Sequence, residues 1–215
     1  MLFRSPASRL PEPFTGRTDW RLARALSEPT LGHDCAMATI SHAFGGACVA
    51  GLLERIDETA RPMFGVANGS LFDQADALAD VITNRLGLQV TSGEWRALLL
   101  GDALARREAH PLLLASLGHE LARRAGLQSV VARSRDDFCC VLIAGEMALP
   151  VCFGEAPVGL DVSALRSCCA HELAFTILAA IGGHAPAAQA GAADRVRATM
   201  PIDWDLTGWS PPSDP

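Results

Sequence analysis

Hydrophobic positions follow a helical period from residue 18 to residue 126, shorten into β-type runs after Gly126, and return to a helical period near the C-terminal end. Residues 18–27 are predicted as a short helix with Trp20, Leu22, Ala23 and Leu26 on its inner side, closed by Pro29. Residues 33–44 (HDCAMATISHAF) form a second helix, stopped by Gly45-Gly46. Residues 49–61 form a third, with Leu52, Leu53, Ile56 and Ala60 at helical spacing. Ser70 precedes LFDQADALADVITNRLG, where Asp73 can act as capping-box partner and Leu71, Ala75, Leu78, Val81, Ile82 and Leu86 make the apolar stripe; Gly87 suits the position after its end. Ser92 or Gly93 opens a further helix through Trp95, Leu98, Leu99, Ala103 and Leu104, bent at Gly101.

The segment 102–154 changes period twice and organises the chain. Pro111 starts a helix where its fixed φ is suitable and its missing N–H is not needed. Leu112, Leu113, Ala115, Ser116, Leu117, Leu121 and Ala122 make that helix apolar enough to run through the centre of the domain. Arg123-Arg124 sit in its last turn against the helix dipole, and Gly126 ends it. Strands are predicted at 128–133, 138–143 and 148–153, with residues 144–146 as the turn between the last two. A helical pair follows at 162–181 and 186–199, joined at Gly182-Gly183. The expected fold is α+β and mostly helical, with one buried helix packed on a small antiparallel sheet. One compact domain is divided into an irregular start (1–17), an N-terminal helical region (18–107), a helix-plus-sheet core (108–161), a C-terminal helical pair (162–200) and an irregular tail (201–215).

Composition narrows the partners more than the fold. At 215 residues and 49% hydrophobic content the chain can bury a full core. Its 18 basic residues, all arginine, face 24 acidic ones for a net charge of −6, and no basic cluster exceeds an Arg-Arg pair, so nucleic acid and anionic membrane surfaces are not expected partners. Two tracts without formal charge, 35–53 and 173–193, are rich in Ala and Gly rather than Leu and Ile, which favours buried helices over membrane spans. The first sixteen residues carry Arg and Pro where a signal peptide needs an apolar stretch. A cytoplasmic protein is expected, and its seven cysteines are read as buried, reduced thiols.

Candidate chemistry is sparse. Cys139 and Cys140 are adjacent on a predicted strand, so their side chains point to opposite faces. Cys168 and His171 are three apart on a predicted helix with Glu172 beside them, which makes a possible metal edge but lacks a second cluster. His119-Glu120 and His171-Glu172 begin like HExxH, yet Arg123 and Phe175 stand where the second histidine belongs. Asp136-Asp137 read as a charged turn between strands. No GxSxG, Walker A or GxGxxG run occurs, and no cofactor is expected. The Ala-rich C-terminal pair has a tetratricopeptide-like look, although one pair equally caps a core.

The run DALARREAHPLLLASLGHELARRAGLQSVVARSRDDFCCVLI resembles the SirB1 family, whose core is a transglutaminase-like (papain-like thiol hydrolase) domain. Its elements read here as His110-Pro111, a helix ending Ala122-Arg123-Arg124-Ala125-Gly126-Leu127, and Arg135-Asp136-Asp137-Phe138-Cys139. The LERIDETA stretch at 53–60 is similar to the family's N-terminal helical region, and the resemblance covers roughly residues 28–180. It implies a nucleophilic Cys at the start of the buried helix, with a His and an Asp on the following strands to activate and orient it. Here those positions hold His110, Pro111 and Leu112, then Asp137, then Val151-Cys152-Phe153. The expectation is a non-catalytic SirB1-like protein that binds another protein or peptide as a regulatory module. The rival expectation is a divergent cysteine hydrolase or acyl transferase with a relocated site, drawn from Cys139, Cys140 and Cys152 with His110, His119 and Asp137.

Overall fold

The computed structural model describes residues 16–134, 137–153 and 165–200. The first periodic stretches become α1 (Gly16–Ala25), α2 (His33–Gly45), α3 (Val49–Ala60) and α4 (Leu71–Asp80). Leu22, Ala23 and Leu26 turn inward as expected, but Trp20 is 55% exposed, with the Arg24 guanidinium 5.5 Å from its ring centre. An indole can stay half solvated while its face attracts a cation, and periodicity does not register that. The capping box of α4 is complete: Ser70 Oγ accepts the Asp73 N–H at 3.2 Å while Asp73 Oδ2 accepts the Ser70 N–H at 2.9 Å. The helix continues into a π turn at Val81–Arg85, and Gly87, at φ 65°, reverses the chain.

Residues 92–104 are not one helix. Trp95–Leu98 is a 3-10 turn, Leu99 is extended at φ −94° and ψ 114°, and α5 spans only Leu100–Arg106. Gly101 is therefore not a bend. It permits close packing, since a Cβ there would lie 2.8 Å from the Cβ of Ala47. Two strands absent from the expected pattern flank this unit: β1 (Gln89–Val90) pairs in parallel with β2 (Glu108–Ala109).

Next comes the buried helix α6 (Pro111–Arg124), followed by β3 (Gln128–Ser134), β4 (Asp137–Ala144) and β5 (Met147–Val151). Gly145, at φ 62°, makes the two-residue turn between β4 and β5. The expected helix over 162–181 is corrected at both ends. Arg166–Ser167 form β6, antiparallel to β3, and α7 begins at Ala170, where the Cys169 thiol accepts the Glu172 N–H at 3.5 Å. At its other end α7 runs through Gly182-Gly183 to His184 before α8 (Ala187–Thr199). Gly182 lets α8 approach instead of breaking the helix: a Cβ there would stand 2.5 Å from Asp194 Oδ1. The expected irregular ends, residues 1–15 and 201–215, lie outside the described residues, as do Asp136 and positions 154–164.

The architecture is α+β and mostly helical, with a four-stranded antiparallel sheet in the order β5-β4-β3-β6. α6 packs on β3 and β4 with one side and on α2 and α3 with the other, which explains why Leu112, Leu113, Leu114, Ala115, Ser116 and Leu117 are all buried. One apolar cluster draws on residues from Leu22 to Met200. Cys140 and Leu142 face into it from β4, whereas Cys139 and Val141 belong to a smaller cluster with Ala132. Among the described residues no helix is long and apolar enough to cross a membrane. All seven cysteines are free thiols, but Cys35, Cys48 and Cys169 are exposed, so only part of the set is buried.

Candidate functional site

The residues at the start of α6 serve its backbone. His110 is the N-cap, and its Nδ1 accepts the Leu112 N–H at 3.2 Å. Burial, helped by His184, holds this imidazole below its ordinary pKa of 6.5 and so keeps the accepting form. Asp137 opens β4 opposite Ser134, and Val151 lies opposite Cys140. Cys140 is sealed beneath α6: a Cβ on Gly118 would lie 3.3 Å from the Cys140 Cβ and 2.8 Å from the Phe153 ring. Burial pushes the Cys140 thiol up to about 12, the opposite of what a thiolate nucleophile needs. Cys139 is equally buried on the other face, and Cys152 is partly exposed.

The expected Cys168/His171 edge is also rearranged. Cys168 precedes α7 instead of lying on it; it is buried, and its N–H donates to the Val131 carbonyl at 2.8 Å. Burial raises its thiol pKa. His171 points elsewhere, its Nε2 donating to the Glu28 carbonyl at 3.0 Å. The sequence pattern placed both residues on one helix because the two-residue strand β6 before them carries no period of its own.

A different cluster forms where α2 meets α6. His33, the first residue of α2, and His119, midway along α6, stand edge to face with ring centres 4.9 Å apart and planes at 70°. Glu120 completes the group, and one potential ligand atom from each of the three lies within 4.8 Å of the others. Among the described residues this is the one group of three or more His, Cys, Asp or Glu side chains that converges in this way.

Its hydrogen bonds fix the protons. His33 Nε2 is 3.0 Å from the Cys168 carbonyl, which can only accept, so Nε2 carries the hydrogen and Nδ1 keeps the lone pair. His119 Nδ1 lies 2.9 Å from the Ser129 hydroxyl, which also reaches the His119 carbonyl at 3.4 Å; with the hydroxyl hydrogen on that carbonyl, Nδ1 is the donor and Nε2 keeps the lone pair. Burial, then the neighbouring His119, lowers His33 to about 4, and burial likewise lowers His119; both rings are neutral at pH 7.

Glu120 is held from one side. Its Oε2 accepts Arg123 Nε at 3.0 Å, Arg123 Nη2 at 2.9 Å and Arg124 Nη1 at 2.5 Å. Arg124 also bonds Asp34 of α2 at 2.7 Å and Asp57 of α3. Three carboxylates, Asp34, Asp57 and Glu120, thus face two guanidinium groups.

His119 was among the residues singled out in the sequence, but His33 was not. The one available signal was the repeated His-acid dipeptide at His33-Asp34, His119-Glu120 and His171-Glu172, of which the fold brings the first two together. No family model, curated protein or solved structure matches the chain.

Proposed function

We propose that this chain is a non-catalytic SirB1-like protein with a transglutaminase-like core that acts in the cytoplasm as a regulatory module binding another protein or peptide. The observation that carries the reading is the state of the buried helix and its strands. Its N-terminus, where a nucleophile would stand, is closed by His110 as a cap, and the thiol beneath the helix, Cys140, is raised to about 12 by burial. Thiol hydrolysis needs a stabilised thiolate, a base beside it and donors for the oxyanion together. His110 and His119 instead use their Nδ1 atoms on the Leu112 N–H and the Ser129 hydroxyl. Support for a binding role comes from exposed apolar side chains: Phe72 on α4, Met147 at the start of the adjoining β5, and Phe64 after α3.

Thiol labelling with iodoacetamide at neutral pH tests the proposal. Cys35, Cys48 and Cys169 should label at ordinary solvent-exposed rates, while Cys139, Cys140 and Cys168 should label only on unfolding. A single cysteine reacting far faster than a free thiol, or a thiol-dependent hydrolase or acyl-transfer rate abolished by Cys140→Ser, would overturn it.

A further inference from the structure

We infer that His33, His119 and Glu120 form a binding site for one divalent transition-metal ion of the zinc class, joining α2 to α6 with a water-accessible fourth position. This is independent of the proposed function. Zinc takes neutral imidazole nitrogen and carboxylate oxygen in tetrahedral sets, and two histidines with one carboxylate satisfy both ligand type and number for a site that keeps one position open.

Convergence alone would not suffice, since polar side chains often meet at helix crossings. Orientation is the second observation. One ring nitrogen of each histidine already has a hydrogen-bond partner: His33 Nε2 the Cys168 carbonyl, His119 Nδ1 the Ser129 hydroxyl. With those nitrogens as donors, His33 Nδ1 and His119 Nε2 are the nitrogens left to supply lone pairs, the outer-shell arrangement usual for metal-binding histidines. The three guanidinium bonds to Glu120 all fall on Oε2, which leaves Oε1 as the ligand oxygen. With Asp34 and Asp57, Glu120 outnumbers the two arginines, so the surroundings do not repel a cation. Both histidines are partly exposed, which provides the entry path.

The ligand atoms lie within 4.8 Å of one another, whereas a tetrahedral shell with bonds of ~2.1 Å sets them roughly 3.4 Å apart. Binding therefore draws the ligand atoms together by up to about 1.4 Å, within the reach of small χ adjustments.

Cobalt(II) titration of the tag-free, chelator-stripped full chain tests the site. The expected result is saturation at one equivalent, with visible ligand-field absorption, without near-ultraviolet thiolate charge transfer, and reversed by zinc. His33→Gln and His119→Gln should each weaken binding by more than the roughly 10- to 100-fold expected of Ser129→Ala, which removes only the orienting hydroxyl. Failure to saturate at one equivalent, a thiolate band from any of the seven free cysteines, or unchanged affinity in either histidine variant overturns the assignment. Should a histidine variant unfold, Ser129→Ala on the partly exposed β3 position still decides, because unchanged affinity there also overturns it.

Discussion

Arg124 Nη2 lies 2.7 Å from Asp34 Oδ2, tying the last turn of α6 to the first turn of α2 across 90 positions of sequence. Arg124 is only 12% exposed, and it also holds Glu120, which is 2% exposed, and Asp57, which is 63% exposed. The dipole role expected from the sequence is thus joined by a tertiary one: a single guanidinium links three helices. Removing one member of a buried ion pair leaves the other charge without compensation. Here Arg123 still reaches Glu120 at 2.9 Å and Asp34 at 3.6 Å, so Arg124→Ala should cost about 1.5–3 kcal/mol, the scale of lost charge-assisted hydrogen bonds. Asp57→Asn should cost less than about 1 kcal/mol, since that carboxylate is largely solvated. Urea denaturation midpoints of the two variants measure the difference, and equal losses would contradict it.

Arg107 is the one non-glycine among the described residues with positive φ, at 60°, where α5 ends and β2 begins. The left-handed conformation costs an L-residue roughly 1–2 kcal/mol, while glycine adopts it freely but loses more entropy on folding, by roughly 0.5–1 kcal/mol. Arg107→Gly should be neutral or raise stability by up to about 1 kcal/mol. A rise or no change in thermal midpoint agrees with strain at this turn; a fall of several degrees means the arginine side chain contributes more than its backbone costs.

Local chemistry made much of the fold legible in the sequence. Ser70 with Asp73, Pro111, Gly126 and Gly145 each work through a backbone group or a φ value within a few residues, and the stripes of α2, α3, α4 and α6 repeat often enough to reveal a period. What was not legible depends on partners distant in sequence. Two-residue strands such as β1, β2 and β6 have no alternation to detect, and the break at Leu99 has no Gly or Pro to mark it. Gly101 and Gly182 read as interruptions because the neighbours that need their missing side chains, Ala47 between α2 and α3 and Asp194 on α8, are defined only by packing. His33 is the clearest case at the site: it opens an ordinary helix, and only the crossing of α2 over α6 sets it against His119.

Gly118 shows the same dependence at the centre of α6. A Cβ there would come within 2.8 Å of the Phe153 ring and 3.3 Å of the Cys140 Cβ, so the Phe153 ring would have to shift. Gly118→Ala gains helix propensity on the order of 1 kcal/mol, but overpacking costs roughly 1–3 kcal/mol, so packing should win or at best balance. Net destabilisation by chemical denaturation is expected. Pairing it with Phe153→Leu should restore part of the loss, and strict additivity of the two would show that they do not share the clash.

The cap at His110 predicts an acid sensitivity with a defined direction. Its Nδ1 accepts the Leu112 N–H only while the ring is neutral, and burial with His184 nearby depresses the folded-state pKa below 6.5. Because the unfolded chain binds the proton more readily, the contribution is whole above the unfolded value of 6.5 and declines as pH falls through the interval from there to the depressed folded value. The expected size is that of an N-cap, about 1 kcal/mol. His110→Asn retains an accepting side chain and does not titrate, so it should match the parent near pH 7.5 and lose less stability between pH 6.5 and 5. Unfolding midpoints collected across that range separate the two proteins, and parallel curves would mean that the imidazole does not cap the helix through its neutral form.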